Sequence, residues 1–76
     1  MALRRNAAGQ VTEVIVAEEG GRHAIPVEEA ILDRREQPFF VTRMGESLLV
    51  IVRRIAGQVV LVNPLQGRID VPEEKS

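Results

Sequence analysis

The stretch from Ser47 to Pro64, SLLVIVRRIAGQVVLVNP, decides the fold of this chain. Successive residues of a strand point to opposite faces, so a strand with one face in water alternates apolar and polar side chains. Leu48 to Val52 and Val59 to Val62 are instead apolar at every position. Two such strands joined at Ala56-Gly57 make a hairpin whose faces both need cover. Burying a Val, Leu or Ile contributes about 1.5–3 kcal/mol, so leaving several of them in water is costly. Arg53 and Arg54 stand just before the turn, where alternation sends them to opposite faces. There they mark the end of the packed region and discourage edge-to-edge stacking rather than forming one anion clamp. The longest unbroken apolar run, Leu48 to Val52, falls far short of the roughly 18 residues of a membrane-spanning helix.

The rest of the chain limits how that hairpin is covered. With 76 residues the sequence makes one domain, and a domain this small buries only about 60% of the surface of its unfolded chain. There is no cysteine, so disulfides, thiolate metal sites and cysteine nucleophiles are excluded together, which fits a reducing cytoplasm. Ten basic and eleven acidic residues nearly cancel, leaving no overall field to collect nucleic acid or an anionic membrane. The start MALRRNAAGQ is basic but has no apolar run behind it, which argues against a secretory signal. A cytoplasmic protein without membrane attachment is expected.

Upstream of the hairpin, residues 1–9 are small and polar and are expected to form a flexible arm. From Gln10, Val11 to Ala17 alternates as a strand, Gly20-Gly21 provides a turn, and RHAIPV makes a short return strand. Pro26 lacks an N–H and confines that strand to an edge or ends it. VEEAILDRREQP carries Val27, Ala30 and Ile31 at helical spacing, with acids in its first turn and Pro38 as a stop. A strand follows from Phe39 to Met44. Downstream, Pro64 to Gly67 is a loop, RIDV leaves room for a short last strand, and residues 72–76 form a charged tail. The expected fold is α+β: a small antiparallel sheet in β-β-α-β-β-β order with one short helix, in a single domain over residues 10–71. One helix covers one face at most. The second face is covered either by curling the sheet towards a barrel or by a second copy of the chain. Few aromatic residues are present to fill a barrel, so a homodimer through the apolar sheet face is expected.

Residues that carry chemistry are sparse. His23 has no cysteine and no second histidine with which to hold a transition metal, and no nearby serine to activate. Glu29 and Asp33 share a helix face and Glu28 is beside them, but acid/base work needs a cleft and unequal environments. The pairs Arg4-Arg5, Arg34-Arg35 and Arg53-Arg54 make a phosphate-binding surface only where they converge, and no aromatic platform is interleaved with them. EEGGR is not followed by the Lys-Ser/Thr and helix of a phosphate loop. No catalytic, cofactor-binding or metal-binding residue is therefore assigned. Arg34, Arg35, Arg53 and Arg54 are the candidate interaction surface.

Two resemblances accompany this pattern. RRNAAGQVTEVIVAEEGGRHAIPVEEAI, residues 4–31, is similar to a family of short uncharacterised bacterial proteins in which a basic start, a strand, a glycine turn and an acidic helix follow one another. That resemblance implies a fold and no activity. The later part, PFFVTRMGESLLVIVRRIAGQVVLVNPLQGR, resembles the sheet of bacteriocin-processing cysteine peptidase domains of peptide exporters. Asn63-Pro64 stands where that family has Asp-Pro, Ser47 or Leu48 stands where it has histidine, and its cysteine nucleophile has no counterpart. The resemblance thus implies a relative unable to cleave a peptide. The expected function is a non-catalytic protein-interaction or regulatory module with a protein partner. Nucleic-acid binding through converged arginines and a small enzyme using the helix carboxylates are the alternatives.

Overall fold

A computed structural model describes residues 1–18, 20–32 and 38–74. Strands β1 (Ala2–Arg5), β2 (Val11–Glu18) and β3 (Gly21–Pro26) precede a short helix, α1 (Val27–Leu32). Strands β4 (Phe39–Arg43), β5 (Glu46–Ile55), β6 (Gln58–Asn63) and β7 (Gly67–Ile69) follow. The order expected for the central elements is kept, and two short strands flank it. The molecule is mostly antiparallel sheet, with too little helix for an evenly mixed α+β fold.

The strands form a three-stranded sheet, β1-β2-β3, and a four-stranded sheet, β4-β5-β6-β7, with no closed barrel among the described residues. The long strand β5 explains the apolar run. Its first half pairs with β4, Phe39 opposite Val50, and its second half with β6, Val52 opposite Leu61. Leu48, Val50 and Val52 therefore share a face with Phe39, Val41, Leu61 and Ile69, which the core takes up. The other sheet supplies Leu3, Val14 and Val16 to this same core, and α1 supplies Val27 and Ala30. All but the half-buried Leu48 are buried side chains of modest size, so the core is closed by aliphatic packing with one inward phenylalanine.

Local chemistry places the turns. Gly20 and Gly21 both have positive φ at the β2–β3 connection, as the glycine pair predicts. The turns at Met44-Gly45 and Ala56-Gly57 hold φ of 50° and 80°, and of 51° and 78°, the two left-handed residues of a tight hairpin. Between β1 and β2 the register slips at Arg4/Arg5, Glu13 facing Arg4 and Val11 facing Arg5. This bulge re-aims Val11, which packs against the core although it shares strand parity with exposed Ala17.

Residues 1–9 are not wholly a loose arm. Ala2–Arg5 is a paired strand, and Leu3 is buried opposite Val14. The last described residues are also more than a charged tail. Leu3 N–H donates to Pro72 O at 3.2 Å, Glu74 N–H donates to Leu3 O at 2.8 Å, and Leu3 and Glu73 form a parallel bridge. Two apolar residues followed by two arginines give no alternation, so β1 is invisible to pattern reading. Its pairing depends on two segments at opposite ends of the chain.

Candidate functional site

The arginines divide according to the acids within reach. Arg4 on β1 bonds through Nε to Glu74 Oε2 at 2.5 Å and through Nη1 to Glu13 Oε1 at 2.7 Å. Arg5 bonds through Nε to Glu73 Oε1 at 2.5 Å and donates to the Gly9 carbonyl at 2.7 Å. Arg22 on β3 meets Glu74 at 3.2 Å, so one carboxylate links strands at both sides of β2. Hydrogen bonding from Arg4 is the main cause that holds Glu74 below the usual carboxylate range, and the same bond raises the Arg4 guanidinium. The pair Arg4-Arg5 thus fixes the C-terminal segment to the sheet.

Arg53 and Arg54 separate as strand alternation requires. Arg54 is opposite Val59, on the core side of β5, and reaches Glu28 of α1. That hydrogen bond lowers the Glu28 carboxyl and raises the Arg54 guanidinium. Arg53 is opposite Val60 on the outer side. Arg34 and Arg35 lie outside the described residues, as does Asp33. The four candidate arginines are therefore not brought together by the described structure. His23 is exposed on the edge strand β3, opposite Val16. Among the described residues no group of three histidine, aspartate or glutamate side chains stands close enough to hold a metal.

Two surface features remain. The first is the outer face of the four-stranded sheet. Phe40 pairs with Leu49, and Ile51 with Val62, on the face opposite the core. Phe40 is 53% exposed and Leu49 37%, and Ile55, on this face near the hairpin turn, is 55% exposed. A recess of about 440 Å³ opens beside Phe40, between β4 and the end of β2. Met44, wholly exposed, caps the β4–β5 turn at the edge of this surface.

The second is a polar cleft of about 730 Å³ between the β1–β2 connection, the start of α1 and the β5–β6 turn. Arg5, Arg54 and Arg68 line it together with a single carboxylate, Glu28. Sequence reasoning missed this grouping because its members come from β1, β5 and β7. Arg68 stands alone in the sequence and carried no signal.

Asn63 is the buried polar residue of the described core. Its Nδ2 donates to Leu49 O at 2.8 Å, and its Oδ1 accepts from the N–H groups of Leu65 at 2.9 Å and Gln66 at 2.8 Å. The side chain is thereby satisfied at three points and shapes the β6–β7 turn. An aspartate here, as in the peptidase pattern, would lose the bond to Leu49 O, so the amide has a structural use.

No protein family, curated protein or solved structure matches this chain.

Proposed function

We propose that the protein is a non-catalytic protein-interaction module that self-associates through the outer face of its four-stranded sheet. The observation carrying this reading is the apolar band made by the cross-strand pairs Phe40–Leu49 and Ile51–Val62, extended by Ile55. Side chains of this size lose favourable burial when left in water, and adjacent pairs on one sheet make a patch rather than scattered exposure. A second copy is the occupant because the cross-strand pairs Phe40–Leu49 and Ile51–Val62 carry no formal charge, with Arg53 beyond them towards the hairpin turn. Two such faces meet about a two-fold axis with these uncharged pairs at the centre and Arg53 towards the rim, as an isologous interface needs.

Two features support the non-catalytic part. Glu28, the helix carboxylate that borders a cleft, is held ionised by Arg54, the reverse of the raised value that suits a general acid. His23, on its exposed edge strand, is flanked across the ladder by Val16, which offers it no acid or base. The absence of cysteine fits a cytoplasmic setting, and no described helix is long and apolar enough to cross a membrane.

The test is the mass in solution. Light scattering at micromolar concentration is expected to return twice the chain mass, and Leu49→Asp to return one chain with unchanged circular dichroism. A one-chain mass for the unaltered protein overturns self-association. An unchanged dimer in Leu49→Asp places the interface elsewhere and overturns the assignment to this face.

A further inference from the structure

The cleft bordered by Arg5, Arg54 and Arg68 does not include the pairs Phe40–Leu49 and Ile51–Val62, although Arg68 stands opposite Val62 on the edge strand. Three guanidinium groups and one carboxylate line it, and Glu73 and Asp70 stand behind Arg5 and Arg68 outside the lining. The three are engaged to different degrees. Arg5 is bonded to Glu73 and to Gly9 O, and Arg54 to Glu28. Among the described residues Arg68 has only Asp70, at 3.9 Å, beyond hydrogen-bond distance, and both of these side chains are mostly exposed. Arg68 can thus turn to a ligand without breaking a hydrogen bond. Arg54 can exchange a largely exposed Glu28 for one.

The other lining groups narrow the ligand. Gln10, Thr12 and Gln58 bring amides and a hydroxyl, which suit hydroxyl and phosphate oxygens, while the apolar contribution comes from valines. No aromatic side chain is present for a base to stack on. Gly9 and Gly57 border the cleft at positive φ, and a side-chain carbon added at either would meet only open space. These two turns leave the entrance clear. The volume is that of a small-molecule site. Guanidinium groups match phosphate oxygens in pairs, and charge-assisted bonds of this type are among the strongest a surface cleft can offer.

We propose that this cleft binds a small phosphate ester, with Arg68 and Arg54 holding the phosphate, Arg5 adding charge, and Gln10 and Gln58 meeting the hydroxyls. Glu28 acts as an internal competitor for Arg54. Its removal tightens binding, an effect opposite in sign to that of removing either arginine.

Amide chemical shifts of the full chain, titrated with pyrophosphate and with ribose 5-phosphate, test this. Saturable shifts centred on Gly9, Gln10, Gly57 and Gln58 are expected. Arg68→Gln and Arg54→Gln should each weaken binding by about tenfold, and Glu28→Gln should strengthen it several-fold. These side chains are exposed, so the variants remain folded, which their spectra check directly. No saturable shift up to about 10 mM ligand, an affinity too weak for a specific site, overturns the proposal. So does binding that Glu28→Gln leaves unchanged or weakens. A single-stranded oligonucleotide that binds at these amides while pyrophosphate and ribose 5-phosphate both fail overturns the small ester in favour of a nucleic-acid backbone.

Discussion

The two sheets of this protein use the same residue types in opposite ways. In the three-stranded sheet, arginines are consumed internally: Arg4, Arg5 and Arg22 meet Glu13, Glu73 and Glu74, and the free edge of β1 is covered by residues 72–74. In the four-stranded sheet Arg53 has no ion pair among the described residues, Arg68 has a distant one, and apolar side chains stand on both faces. One sheet is finished by charge and by the chain's own end. The other is finished on its inner face alone. An arginine pair thus has no fixed meaning: Arg4-Arg5 ties two chain segments together, while Arg53-Arg54 is split by strand alternation between an outer face and a helix.

The contrast is broken most severely from the inside of the four-stranded sheet. Val50 is 2% exposed, opposite Phe39. Val50→Asp introduces an unpaired buried charge, costs more than about 4 kcal/mol, and should leave no folded population by circular dichroism. A folded variant of near-normal stability would show that Val50 does not face the core. On the outer face of this sheet Leu49→Asp should be tolerated, so the same substitution one residue away separates the two faces.

A smaller effect is expected at Asn63. Asn63→Asp keeps both acceptor bonds to the turn but cannot donate to Leu49 O as a carboxylate, and sets two acceptors against each other in a part-buried site. The cost is about 1–3 kcal/mol in urea denaturation. A loss below that range would mean the amide is not needed at this turn.

The smallest effect is on the three-stranded sheet, through pH. Glu74 has a folded pKa below its unfolded value, so its contribution is complete above the ordinary carboxylate pKa of about 4.3 and is lost as pH falls through the lowered value. On acidification below that point the pairing of Leu3 with residues 72–74 should loosen first. Amide exchange at Leu3 and Glu74 is expected to rise while Val52 and Leu61 stay protected. Simultaneous loss at all four sites would show that the charged and apolar sheets open as one unit.

How much was legible in the sequence follows from the same contrast. The hairpin of β5 and β6, its turn at Ala56-Gly57 and the opposite placement of Arg53 and Arg54 rest on alternation and turn chemistry, both local rules. The inward set Val27, Ala30 and Ile31 likewise follows from helical spacing. The bulge at Arg4/Arg5 was illegible, because an extra residue leaves no mark on a short polar segment. So was the cleft, whose arginines are separated along the chain by tens of positions.

The sequence by itself determined the apolar two-faced hairpin, the turns and the absence of thiol chemistry, because neighbouring residues are enough to set periodicity and backbone angles. Only the tertiary structure decided that Leu3 and residues 72–74 complete a sheet, that Glu74 serves two arginines, and that Arg5, Arg54 and Arg68 border one cleft. Those contacts depend on how two sheets lie around one core, and the distance between residues in a chain does not fix their distance in space.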